Sequence, residues 1–270
     1  MGLSPGLRHN AQLAARESLS AGQALVASPE SLHTYLREMK HDVEQLRQLP
    51  TIADRILRKR DVLLPKWQPV AARYVESGEV FNNLIFAYCV IWLFDAGDFD
   101  TALDWAEVAI AQSQPTPENI KSTFPAFVAD TVLAWAQREA EHGHSVEPYF
   151  SRVFTHIRHD WRLHEEINAK WFKFAALLLL RDSKGRPMPS AVEDANILQA
   201  ADELLAQAHA FHPLVGVKSL REKIAMRLRK LNPLPHGGAD AGEDAARLLA
   251  QHATDPGQSA FQQSAQDAAP

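Results

Sequence analysis

Three groups of side chains have the type and spacing to do chemistry. The first is acidic: Asp95, Asp98, Asp100, Asp104 and Glu107 crowd the run W-L-F-D-A-G-D-F-D-T-A-L-D-W-A-E. Clustered carboxylates hold divalent ions for phosphoryl transfer, yet the register of an EF-hand, with alternating ligands, a central glycine and a closing glutamate, is missing. Asp95 and Asp98 flank a turn, where aspartate caps helices, and the other three line the outward face of the helix returning from it. Capping and a solvated face account for this run. The second group is His142, His144, His156, His159 and His164, near Glu165 and Glu166. His156 and His159 stand three apart on one helical face, which a divalent ion could bridge, but no H-E-x-x-H or H-N-H order accompanies them. Glu165, Glu166 and Lys170 come nearest to a two-metal nuclease set, at an ordinary helical Glu–Lys spacing. Phosphate loops, nucleophile elbows and dinucleotide fingerprints are lacking. No metal and no cofactor are expected, and catalytic residues cannot be named.

The third group is basic. Arg55, Arg58, Lys59, Arg60 and Lys66 fall within twelve residues, dense enough to engage several phosphates in a salt-sensitive way. A solvated helix surface would carry the same residues, so both readings stand. A second patch lies at residues 214–232, where Lys218, Arg221, Lys223, Arg227, Arg229 and Lys230 face one acid, Glu222. There Leu220, Ile224, Leu228 and Leu231 form an apolar stripe, with Arg221, Arg227, Arg229 and Lys230 largely off it. That face suits the DNA backbone or a docking partner equally well. The overall net charge of −5 hides both patches, because the middle of the chain and the tail are acidic.

Helices must position all three groups. Ser28-Pro29-Glu30 is a helix start, and Leu32, Leu36, Met39, Val43 and Leu46 then recur at spacings of four and three, until Pro50. This seam is the buried stripe of a surface helix or a short docking surface. Thr51–Lys59 reads as a short basic helix, Pro65 and Pro69 bracket Lys66-Trp67-Gln68, and a new helix starts near Pro69. Val80–Phe94 is an apolar helix, Ala96-Gly97-Asp98 its turn, and Phe99–Ala111 the return. A helix with Pro125 in its first turn or at a kink runs to about Glu141. Further helices are expected over Val146–His159, Trp161–Arg181, Ala191–Phe211 and Val215–Leu231, and no period-two run suggests a strand. Gly97-x4-Ala102-x3-Ala106-x2-Ala109 parallels Asn196-x4-Ala201-x3-Leu205-x2-Ala208, the small-residue spacing of a helical hairpin. The expected fold is all-α, a helical-hairpin (tetratricopeptide-like) bundle with a flexible C-terminal tail. Its expected parts are an N-terminal helical segment at 1–50, a core domain at 51–232 and a polar, acidic tail at 233–270.

The bounds agree. With 270 residues, 46% of them hydrophobic and 23% charged, the composition is that of an ordinary globular protein. Cys89, the one cysteine, excludes an internal disulfide framework. The strongest apolar run, Phe174–Leu180, is far too short to span a bilayer, and the first residues form no secretory signal. A cytoplasmic protein without a membrane partner is expected.

Four runs, in this order, then carry a resemblance: R-K-R-D-V-L-L-P-K-W-Q-P, W-L-F-D-A-G-D-F-D-T-A-L-D-W-A-E-V-A-I, P-E-N-I-K-S-T-F-P-A-F-V-A-D and H-P-L-V-G-V-K-S-L-R-E-K-I. Together they resemble the terminase small subunit family of temperate tailed bacteriophages, also described as the terminase endonuclease subunit. The resemblance implies a homo-oligomer that binds the packaging site on concatemeric double-stranded viral DNA in the bacterial host cytoplasm. It also implies a large subunit partner that supplies ATP hydrolysis for cleavage and packaging. Arg55, Arg58, Lys59, Arg60 and Lys66 would be the DNA-binding residues. The chain departs from the family in its acidic tail, where relatives often carry a lysine-rich extension, and no catalytic constellation matches the endonuclease description. The alternatives are an intrinsic metal-dependent endonuclease and a helical protein-binding adaptor that does not touch DNA.

Overall fold

The computed structural model describes residues 29–182, 185–231 and Arg247, with side chains from Thr34 onward. The tail from 233, apart from Arg247, and most of the N-terminal segment lie outside the described residues, as does any expectation about them. Among the described residues the fold is all-α: one isolated antiparallel backbone pairing, Arg181 with Pro187, is the sole extended contact. The chain divides into two compact units, with the division between Val128 and Ala129.

The first unit is organised around its most apolar segment. It comprises α1 (Pro29–Gln48), α2 (Ile52–Arg58), a π turn (Lys59–Leu63), α3 (Leu64–Ser77), α4 (Leu84–Ala96) and α5 (Phe99–Ala111). In α4, Ile85, Phe86, Ala87 and every residue from Cys89 to Phe94 are buried. A helix apolar on all sides must be covered on all sides, and α1, α2, α3 and α5 all contact it. Met39, Val43 and Leu46 of the α1 seam are buried in this unit. Its turn into α5 needs Gly97, which sits at φ 84° in the left-handed region and closes α4 through Asp98 N–H to the Leu93 carbonyl at 3.0 Å. Asp98 then caps α5, accepting from Thr101 N–H at 3.2 Å.

In the first unit two boundaries differ from expectation; in the second, helices expected to start at Val146, Trp161, Ala191 and Val215 start at Tyr149, Glu165, Ala195 and Lys218. Pro65 and Pro69 do not separate two helices, for the helical path continues from Ile52 to Ser77. A proline ring collides with the carbonyl four residues before it, which for Pro65 is that of Asp61. The chain widens here, and Leu64 N–H bonds the Lys59 carbonyl five residues back. Burial of Leu63, Leu64, Trp67, Val70, Ala71 and Tyr74 holds the continued helix in place. Val80–Asn83 is not helical, because Asn83 is the cap of α4 and accepts from Phe86 N–H at 3.0 Å.

The helix α6 (Phe124–Glu141) runs across the division, with Pro125 in its first turn. The second unit adds α7 (Tyr149–His159), α8 (Glu165–Leu179), α9 (Ala195–Phe211) and α10 (Lys218–Leu231). Its core centres on Trp171, stacked on Phe150 at 4.9 Å between ring centres and donating Nε1–H to the Ala129 carbonyl at 3.2 Å. The paired small residues occupy matching places: Ala102, Ala106 and Ala109 in α5, and Ala201, Leu205 and Ala208 in α9, are all fully buried. Their partners differ in connection. α4 reaches α5 through a tight turn, whereas α8 and α9 are joined by residues 180–194, which carry the 3-10 turn Pro189–Ala191.

Candidate nucleic-acid interface

The basic segment is held by the helical path through α2, the π turn and α3, and most of its cations are also engaged within the first unit. Arg55 Nε donates to the Leu49 carbonyl at 3.0 Å. An Arg58 Nη2 N–H donates to Gln45 Oε1, while its Nε is buried with no partner among the described residues. Lys59 pairs with Asp95 at 2.6 Å and its side chain is only 16% exposed. Lys66 sits between Asp42 at 2.8 Å and Glu38 at 3.3 Å and 4.6 Å from the centre of the Trp67 ring, yet remains 41% exposed. Burial works against its charge, but the hydrogen bonds and charges of Asp42 and Glu38 outweigh it, so the ammonium pKa is raised. Arg60 is the most open of these side chains with an ion partner, at 56%; its partner is the adjacent Asp61, at 2.8 Å. That hydrogen bond raises the Arg60 pKa and lowers the Asp61 pKa.

The structure therefore brings the five residues onto one continuous helical path and sorts them. Arg55, Arg58 and Lys59 brace it against the end of α1 and against α4, and Arg60 and Lys66 are exposed. Sequence spacing showed the cluster but not these braces, since Lys59 and Asp95 lie 36 residues apart.

Several members of the acidic and histidine groups have structural duties. Asp95 holds Lys59 and Asp98 caps α5. His142 Nδ1 lies 2.7 Å from the Arg138 carbonyl, His144 pairs with Glu139 at 2.7 Å, and His156 pairs with Asp160 at 2.8 Å. His164 caps α8, accepting from Glu166 N–H at 3.3 Å. No group of three or more His, Cys, Asp or Glu with metal-holding geometry occurs among the described residues. A polar node that the sequence did not disclose joins α3 to the segment before α4 and the segment after α5. Tyr74 Oη lies 2.6 Å from Gln112 Oε1 and 2.9 Å from the Phe81 carbonyl, and accepts from Gln114 Nε2 at 2.7 Å. Gln114 Oε1 accepts from Asn83 N–H at 2.8 Å. No helix among the described residues is long and apolar enough to cross a membrane.

Comparison with known proteins decides what this arrangement belongs to. A model described as phage small terminase subunit matches residues 36–166. The chain is also 42% identical over 193 residues to a "Probable terminase, endonuclease subunit" of Haemophilus phage HP1 (strain HP1c1), covering 72% of this chain and 69% of that one. The chain belongs to the phage small terminase subunit family. No solved structure matches it. In this small terminase subunit the family-matched span runs from within α1 into the start of α8. It contains the whole basic segment and the α4–α5 hairpin, and it stops short of α10.

Proposed function

We propose that this small terminase subunit binds the packaging site on concatemeric double-stranded viral DNA and directs the large ATPase subunit in cleavage and packaging. The observation that carries the reading is the 42% identity to a terminase subunit over 72% of the chain. The basic segment supports it: Arg60 and Lys66 offer charge to a phosphate backbone, while Arg55, Arg58 and Lys59 stiffen the helical path that presents them. On this reading the subunit works as a homo-oligomer in the host cytoplasm, where the DNA is. The N-terminal segment at 1–50 would serve as an arm, 51–232 as the core domain and 233–270 as a tail. The test is a gel shift with packaging-region duplex at several salt concentrations. Specific binding that weakens with salt is expected, with Arg60→Gln weakening it further. No binding at low salt would overturn the reading in favour of a protein-binding adaptor.

A second reading comes from the name of the phage HP1 relative, which describes that protein as an endonuclease subunit. Purified subunit, packaging-region DNA and Mg²⁺, without the large subunit, separate the two. Specific cutting assigns the nuclease to this chain, and intact DNA assigns cleavage to the holoenzyme.

A further inference from the structure

The last helix of the second unit carries a surface that the family match does not cover. At 100° per residue, Lys218, Ser219, Glu222, Lys223, Ala225, Met226, Arg229 and Lys230 fall on one contiguous arc of α10, and all eight are exposed. The opposite arc is anchored: Ile224 is fully buried, Arg221 clasps Asp202 through two hydrogen bonds of 2.8 and 2.9 Å, and Arg227 Nε donates to the Val192 carbonyl at 2.9 Å. Two of the six cations thus fix the rotation of the helix, and four face solvent. Among the described residues none of these four has an ion-pair or hydrogen-bond partner.

We propose that this arc of α10 is a second contact surface for the sugar-phosphate backbone of duplex DNA, separate from the basic segment of the first unit. It rests on the reading that the subunit binds DNA, and it adds which further element does so. Charge complementarity carries it: Lys218, Lys223, Arg229 and Lys230 face outward against a single acid, Glu222. From Lys218 to Lys230 the helix rises about 18 Å, at about 1.5 Å per residue. Duplex DNA places a charge every ~3.4 Å of axis on each strand, so a helix of that reach meets several phosphates. The arc is unlike a protein-docking face, which centres on a buried aromatic or aliphatic anchor. Its one large apolar side chain, Met226, is 55% exposed and has no aromatic beside it on the arc. Lys218 adds a separate argument. Arg229 and Lys230 complement the negative end of the helix dipole, but Lys218 stands at the positive end, where a lysine is unfavourable without an anion.

The experiment measures affinity of the full-length protein for a packaging-region duplex across salt concentrations, by fluorescence anisotropy. Three proteins are compared: the native chain, a variant with Lys218→Gln, Lys223→Gln, Arg229→Gln and Lys230→Gln, and a charge-conserving variant with Lys218→Arg, Lys223→Arg and Lys230→Arg. Each phosphate contact contributes about 0.9 to the slope of log K against log salt, so the glutamine variant should lose about 3.6. The arginine variant should keep the native slope. If the native protein binds and the glutamine variant keeps its slope, the α10 proposal is overturned while the DNA-binding reading stands. The same holds if that variant loses only the large subunit in co-sedimentation, which would make α10 a protein-docking face. If the native protein does not bind the duplex, the reading beneath fails and takes the proposal with it. Since all four positions are exposed, unchanged thermal melting is expected, and a drop in melting temperature shared by the arginine variant would refute the surface role.

Discussion

Taking the hydroxyl from Tyr74 would remove one partner each from Gln112, Gln114 and the Phe81 carbonyl, which keep the bonds from Gln114 Nε2 to Gln112 Oε1 at 3.0 Å and to the Phe81 carbonyl at 2.6 Å. Tyr74→Phe should cost about 0.5–1.5 kcal/mol, the net worth of an ordinary hydrogen bond, as read by urea unfolding. Burial also shapes titration. It pushes up the pKa of Tyr74 and Tyr88 and, further still, that of the Cys89 thiol, while the carboxylates beside Lys66 raise its ammonium. Each group holds its proton more tightly folded than unfolded. Their stabilisation is therefore complete below the unfolded pKa values, roughly 8.5 for cysteine and 10 or above for tyrosine and lysine, and is lost as pH rises beyond them. The urea midpoint should stay level between pH 7 and 8 and fall steadily from about pH 9. Cys89 should resist a thiol reagent until the protein is unfolded. At this scale the sequence was legible where the partner is local, as with Asp98 capping its own helix. It was silent where the partner is distant: Gln114 and Tyr74 are 40 residues apart, and no spacing rule links a glutamine to a tyrosine across that interval.

Among the elements, the join between α1 and α3 depends most on one side chain. Asp42 is nearly buried and accepts from both Lys66 Nζ and Trp67 Nε1 at 2.8 Å. Asp42→Ala should cost about 1.5–3 kcal/mol, the usual worth of hydrogen bonds to a charged group, and Asp42→Asn less, because the amide oxygen still accepts from Trp67. Gly97→Ala should cost about 1 kcal/mol, through the left-handed backbone alone, since a Cβ there meets nothing within 4 Å. Thermal melts of each variant check these values. Helix identity was legible from the periodicity of α1 and from the unbroken apolar run of α4. The path through Pro65 was not, because local proline rules forecast a break and the burial of Trp67 and Tyr74 overrides them.

Across the whole molecule, a chain with a net of −5 still carries exposed cations at Arg60 and Lys66 and along one arc of α10. Light scattering should give a multiple of the 30.1 kDa chain mass if the proposed oligomer forms, and a monomer both with and without DNA would count against it. All-helical architecture could be read before the structure, because periodicity is a property of short windows. The sorting of basic residues into braces and exposed charges could not, since it follows from which helix faces meet. The π turn at Lys59–Leu63 has a consequence for length variation among relatives. It is a helix with one residue more than an α-helical path needs, so a relative lacking one residue between Arg58 and Leu64 would lose the widened turn. An aligned set should therefore place single-residue gaps here more readily than in α3 or α4. Deleting Asp61 from this chain should return the turn to a regular α-helix and leave Arg55 and Arg58 on Leu49 and Gln45, which thermal melting near the native temperature would confirm.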